Sequence, residues 1–533
     1  MEITFNNMFP EYSIKDLNLG LYSILKASSL VFLTTGILYL GKIFYSYTFF
    51  KRRGLKTPKY EFFYGNMKTI LKNKNFSDQI KEWTKTYGKT YGYFEGHLPI
   101  LVTSDLEIIQ EVFIKQASNF AARKKAHLNP KDNDPYLSLF FATGNRWKRM
   151  RMIMNPTFSS AKLRELGPML VKCADRMVNV LDKEKETEIN ITQYFKRFTM
   201  DSIWNCAFGV DINMQYEKDN EYFNKCEGVF RILAHLSMPQ YLGIYFYEFK
   251  EIILEILETS GKIFSSFLKD KNIMSMFWLR SKVGELVSIR KNSKNVQNKK
   301  DYIQLLIDAR AEFNELSFDS SELKKVLTTK EVEANLVLFM LAGYETTSTT
   351  LSSCSHVLAT HPEEQSKLHD EISSAFGSDL DSINSDSVQE LHYLDMFVKE
   401  VLRMYPIGTL VRRCIKSTTI KGIHFPVNTP IAVDVMSLHF DPELWGPVDP
   451  DLFYPPRHEI KRNQLAFMAF GNGPRHCIGM KFALIELKIA LVKLLLNFEF
   501  LKTTTQNNKL EIEEGLVRYP KNGVQVLLRR RNE

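Results

Sequence analysis

Between Phe467 and Lys488 the chain reads FMAFGNGPRHCIGMKFALIELK, so one cysteine, Cys477, is caught between a glycine-rich turn and the start of a strongly apolar helix. Gly471 and Gly473 allow backbone angles that other residues resist, Pro474 stiffens the approach, and Gly479 lets a flat group come close behind. The helix expected from Met480 aims its unpaired N–H groups and positive dipole end at the sulfur. That predicts a readily ionised thiol, a soft and electron-rich metal ligand.

A lone cysteine at a helix start is more often an ordinary buried thiol. Spacing removes two other readings. Gly471 and Gly473 lack the third glycine of a dinucleotide loop, since His476 stands there. Zinc would need several ligands at usable spacing, yet His476 and Cys477 are adjacent and the chain has no C-x-x-C or H-x-x-x-H pair. Phe470, Gly471, Gly473, Arg475, Cys477 and Gly479 together resemble the heme-binding signature of the cytochrome P450 family, F-x-x-G-x-x-x-C-x-G. The resemblance implies Cys477 as axial ligand of a heme b iron, with Phe470, Gly471, Gly479 and Arg475 against the cofactor.

The 533 residues show no internal repeat and no long low-complexity linker, which favours one large domain, and 44% hydrophobic and 12% aromatic residues supply a thick core. The net charge of +9 suits an anionic membrane surface, an acidic protein or nucleic acid. Six scattered cysteines do not form a disulfide scaffold, so a reducing compartment is expected. Leu21 to Phe50 is predominantly apolar, has an uncharged centre from Ala27 to Gly41, and is followed by Lys51, Arg52 and Arg53. It reads as a membrane anchor with Lys26 and Lys42 snorkelling and the body in the cytosol, dividing the chain into residues 1–50 and a catalytic domain of 51–533.

Helical periodicity recurs in Ile108–Phe120, Arg146–Asn155, Leu163–Leu181, Ile191–Phe208, Phe249–Lys269 and Tyr302–Glu312, while Lys89–Val102 and Cys414–Val435 read as strands. Thr328–Thr360 opens with a Thr328 and Glu331 capping box and is apolar on nearly all sides from Ala334 to Gly343. Glu345 beside that run is costly to bury without a purpose. Ala342 and Gly343 are small enough to admit a flat cofactor, and the Thr346 hydroxyl can bond back to the Ala342 carbonyl and loosen the helix. AGYETT resembles the family's oxygen-activation motif, which implies Thr346 and Glu345 as the catalytic proton relay.

Trp147 and Arg151 share a helix face and match the family's propionate-binding pair. Arg412 and Arg413 both follow Pro406, and the sequence does not decide which reaches the heme. Glu400, Arg403 and Arg457 match the family's buried Glu-Arg-Arg network. The usual Pro-Glu-Arg-Phe is here Pro455, Pro456, Arg457, His458, so weaker packing is expected around the retained arginine. His235–Leu257 is either the pocket roof, dipping into lipid, or ordinary core.

The implied protein is mainly α with small β-sheets, a P450 fold behind an N-terminal transmembrane helix. The implied activity is monooxygenation of an apolar small molecule by O2, with electrons from NADPH through NADPH-cytochrome P450 reductase or cytochrome b5 at the endoplasmic reticulum membrane, and with no nucleic-acid partner. Candidates for the reductase contact are Lys148, Arg149, Lys481 and Lys488. A heme-thiolate isomerase or dehydratase acting on a peroxide, and a non-catalytic heme protein, are the alternatives.

Overall fold

A computed structural model describes residues 14–73, 75–124, 132–184, 186–217, 219–234, 238–253, 255–256, 273–292, 301–309, 326–377, 379–504 and 509–531. Most of the Phe249–Lys269 helix expected from periodicity lies outside them. The helices that place the site are α1 (Ile14–Tyr47), α2 (Gly144–Met154), α3 (Ser160–Leu181), α4 (Ile191–Ile203), α5 (Glu221–Ala234), α6 (Thr329–Thr360), α7 (His392–Met404) and α8 (Met480–Asn497).

Helix α6 is the axis of the body because it is buried on most sides along its length. Residues such as Leu336, Met340, Leu351 and Leu358 are fully buried, in contact with α4, α7 and α8. Its capping box forms as expected, with Thr328 Oγ1 accepting from the Glu331 N–H and Glu331 Oε2 from the Thr328 N–H. Helix α4 ends in a π-turn, Trp204–Phe208, whose buried aromatic rings fill the space beside α3.

Eleven strands form small sheets among the described residues. The largest runs β1 (Thr90–Glu95), β2 (Leu98–Thr103), β7 (Pro430–Val433), β4 (Leu410–Arg413). Strand β4 lies antiparallel to β7, with Arg412 opposite Ile431 and Arg413 opposite Pro430. Alternation along β4 therefore sends the two arginines to opposite faces.

Helix α1 carries a segment, Tyr22–Tyr47, that is long and apolar enough to cross a membrane, with mean hydropathy 1.5. Its side chains are exposed from Tyr22 to Lys42 apart from Tyr39, and then Ile43, Tyr47 and Phe50 bury against the first sheet. Lys42 ends in an ion pair with Glu248 at 3.0 Å.

Candidate active site

The Cys477 loop is built by turns that only small residues can make. Gly471 and Gly473 both have φ of +71°, and a Cβ on Gly473 would sit 1.8 Å from the Phe113 carbonyl oxygen. The Cys477 N–H donates to the Phe470 carbonyl at 2.9 Å, which fixes the cysteine at the head of α8. Gly479 has an ordinary φ of −85°, and a Cβ there would meet only the Phe158 ring, at 3.9 Å. Phe158 also packs on Phe339 of α6, with ring centres 5.5 Å apart, so it joins the loop to the middle of the long helix.

In the middle of α6, Ala342 is exposed, and Leu338, Phe339, Leu341, Gly343 and Thr346 are half-buried, whereas the turns on either side are mostly buried. Thr346 Oγ1 donates to the Ala342 carbonyl at 2.8 Å, the back-bond expected from the sequence. Gly343 departs from expectation. A Cβ there would lie 2.8 Å from Ile203, so its smallness serves the packing of α6 on α4.

Cys477 itself is exposed. The protein around it raises the proton affinity of its thiol, while the Gly479 N–H at the helix head and the charges of Arg151 and Arg123 lower it.

Arginines crowd the same region. Trp147 lies under the Arg475 guanidinium, 4.5 Å from ring centre to cation. Arg475 Nη2 donates to the Ala142 carbonyl, whereas its buried Nε has no partner. Arg123 Nε is likewise buried without a partner. Arg412 is 3% exposed and stacks on Phe113 at 4.5 Å, while Arg413 turns outward to Asn428 Oδ1 at 2.6 Å. Among the described residues no carboxylate pairs with Arg123, Arg412 or Arg475. Burial, with mutual repulsion, holds Arg475 down at about 9 and Arg412 well below its ordinary range. Buried like charges with free donors form a cradle for an anion. A heme, flat and carrying two carboxylates, fits that cradle above a thiol. Of the two arginines after Pro406, Arg412 is the buried one beside Arg123 and Arg475, and Arg123 had no sequence signal beyond being one of many basic residues. Arg151 is used by the loop itself, donating to the His476 carbonyl at 3.0 Å.

The buried tie forms in full. Glu400 Oε1 accepts from Arg403 Nη2 and Arg457 Nε, each at 2.8 Å, and all three residues are at most 2% exposed. The weakened packing expected from His458 is not seen. Its Nε2 lies 2.9 Å from Glu400 Oε2 and its ring stands edge-on to Trp445 at 5.4 Å, so one residue supplies both a polar contact and an aromatic face.

Two of the four candidate docking cations are not on the surface. Arg149 is buried against Glu331 at 2.6 Å, and Lys488, 3% exposed, pairs with Asp395 at 2.8 Å. Lys148 and Lys481 are exposed.

A mainly helical body, a cysteine at a helix head, an arginine cradle and a long buried helix suit a heme-thiolate enzyme. Residues 55–527 match the cytochrome P450 family model. Among relatives, cytochrome P450 3A29 of Sus scrofa is 33% identical over 91% of this chain and 93% of its own length. Lithocholate 6-beta-hydroxylase of Mesocricetus auratus is 32% identical over 90% and 92%, and cytochrome P450 CYP13A1 of Caenorhabditis elegans 33% over 86% and 90%. The chain belongs to the cytochrome P450 family and is a monooxygenase of class EC 1.14.

Proposed function

We propose that this protein is a membrane-anchored monooxygenase that inserts one oxygen atom from O2 into an apolar small molecule, with residues 1–50 as anchor and 51–533 as the catalytic domain. The observation that carries the reading is the convergence of buried Arg412 and Arg475 and half-buried Arg123, none with a carboxylate among the described residues, around the Cys477 loop. Heme bound there would supply the redox chemistry that activates O2, with Cys477 as iron ligand and Trp147, Arg151, Phe470, Gly471, Gly479 and Ala342 lining it.

The chain's own residues do the rest. Thr346 holds a hydroxyl proton on α6, bonded back to the Ala342 carbonyl, and Glu345, the next residue, restores that proton once it turns toward it. The guanidiniums neutralise and orient the cofactor's carboxylates, and the apolar body excludes water from the reacting carbon. Electrons come from NADPH through a flavoprotein reductase, with cytochrome b5 as a second donor, docking beside exposed Lys148 and Lys481. The exposed apolar side chains Leu242, Phe249, Ile252 and Ile256 flank the anchor and suit contact with lipid at the endoplasmic reticulum, where an apolar substrate partitions.

Reconstitution of the full chain with reductase and NADPH in lipid vesicles tests the reading. Oxygenated product that depends on both NADPH and reductase supports it. Heme incorporation without NADPH-dependent oxygenation of any apolar probe would overturn it.

A further inference from the structure

Glu345 does not face Thr346 in the structure. It is 4% exposed and turned toward α4, with Oε2 3.4 Å from the Lys196 ammonium. That distance is at the edge of hydrogen bonding, and Oε2 has no hydrogen-bond partner. Lys196 is committed elsewhere. It donates to Glu227 of α5 at 2.7 Å, and the Tyr344 hydroxyl donates to the same Glu227 oxygen. A buried carboxylate and a half-buried one, on two helices, thus share one ammonium from a third. Tyr519 and the Cys226 thiol face the same group, and the Arg231 charge acts on Glu227 from further off.

Sharing of this kind has a mechanical consequence. An ammonium that fully neutralised Glu345 would fix it on α4, ionised and turned from Thr346. Glu227 competes for that ammonium, and leaves Glu345 without a tight donor. Burial raises the proton affinity of Glu345, Lys196 lowers it and Glu227 raises it, in keeping with this division.

We propose that Lys196 and Glu227 are positioning residues for proton delivery: Glu227 draws the Lys196 ammonium away from Glu345, and so leaves that carboxyl free to take up a proton and turn to Thr346. The proton passes from the Glu345 carboxyl to the Thr346 hydroxyl, which gives up its own proton in the site, and Glu345 is recharged from water. The proposal rests on the reading of Glu345 and Thr346 as the proton relay.

The test uses the full-length holoenzyme with reductase, NADPH and an alkoxycoumarin probe, and reads hydrogen peroxide released per NADPH consumed. Glu227→Gln should raise that ratio several-fold by letting Lys196 close on Glu345. The double variant Glu227→Gln with Lys196→Gln should bring it back toward wild type. A second readout needs no turnover: the infrared band of protonated buried carboxyl should grow in Lys196→Gln, and its Glu345 component should vanish in Glu227→Gln. The reduced carbon monoxide spectrum checks that each variant keeps its heme. An unchanged ratio in Glu227→Gln, absence of rescue in the double variant, or a carboxyl band indifferent to Lys196→Gln would overturn the proposal. Thr346→Ala separates the two levels. If it uncouples turnover while Glu227→Gln does not, the relay stands and this positioning role fails; if it too changes nothing, the relay itself is wrong.

Discussion

The guanidinium of Arg475 lies 4.5 Å from the centre of the Trp147 ring and gives one N–H to the Ala142 carbonyl, while its Nε remains buried without an acceptor. A cation placed so carefully yet left partly unsatisfied is costly for the protein alone, and repays its cost only when an anion arrives.

Arg412 and Arg413 separate the cradle from the surface. Arg412→Leu should weaken heme retention by about 10- to 100-fold, since a hydrogen bond to a charged group contributes about 1.5–3 kcal/mol. The same change should raise the melting temperature of heme-free protein by removing a buried, repelled charge. Arg413→Gln should do neither. Heme transfer to apomyoglobin and thermal unfolding measure the two effects, and equal behaviour of the two variants would remove Arg412 from the cradle.

Cys477→His should abolish the strongly red-shifted Soret band of the dithionite-reduced carbon monoxide complex and leave a band typical of histidine-ligated heme. Persistence of the red-shifted band in that variant would show that another residue supplies the thiolate.

Thr346→Ala should keep the heme spectrum and lower product per NADPH, with peroxide rising in compensation, because the hydroxyl proton at the Ala342 turn is lost. Stopped turnover and peroxide assays on the same preparation read both quantities.

Glu400 is held down at about 2 from an ordinary 4.5: burial opposes ionisation, but Arg403, His458 and Arg457 overcome it. A depressed carboxyl stabilises the fold above its unfolded value and loses that contribution as pH falls. Circular dichroism should therefore show about 3 kcal/mol lost between roughly pH 4.5 and 2. Glu400→Gln should cost about 3–5 kcal/mol at neutral pH by stranding two buried guanidiniums. A variant as stable as wild type would refute the tie.

Glu486 behaves in the opposite sense. Burial pushes it up to about 8, ahead of the nearby Ser202 and Thr347 hydroxyls that pull it down, and neither oxygen accepts a well-formed hydrogen bond. The folded state then holds a proton that the unfolded chain releases, so stability falls as pH rises from about 4.5 to 8. Glu486→Gln should raise the melting temperature at pH 8 and flatten that slope, by about 3 kcal/mol at pH 7.

The parts of this protein that its sequence determined are local. The capping box, the Thr346 back-bond and the glycine turns before Cys477 join groups a few residues apart, so backbone geometry and spacing are enough to foresee them. The tertiary structure alone decided which charges are buried and with whom. The register of β4 on β7 buried Arg412 and turned Arg413 to Asn428. Arg149 and Lys488 read as surface cations until Glu331 and Asp395, distant in the chain, were found beside them. His458 replaced a lost aromatic and a lost acid at once, and Lys196 and Glu227 gained meaning only when three helices met around Glu345. The physical reason is common to all of these: what surrounds a charge, partner or none, comes from distant segments, and a linear sequence records the charge but not its surroundings.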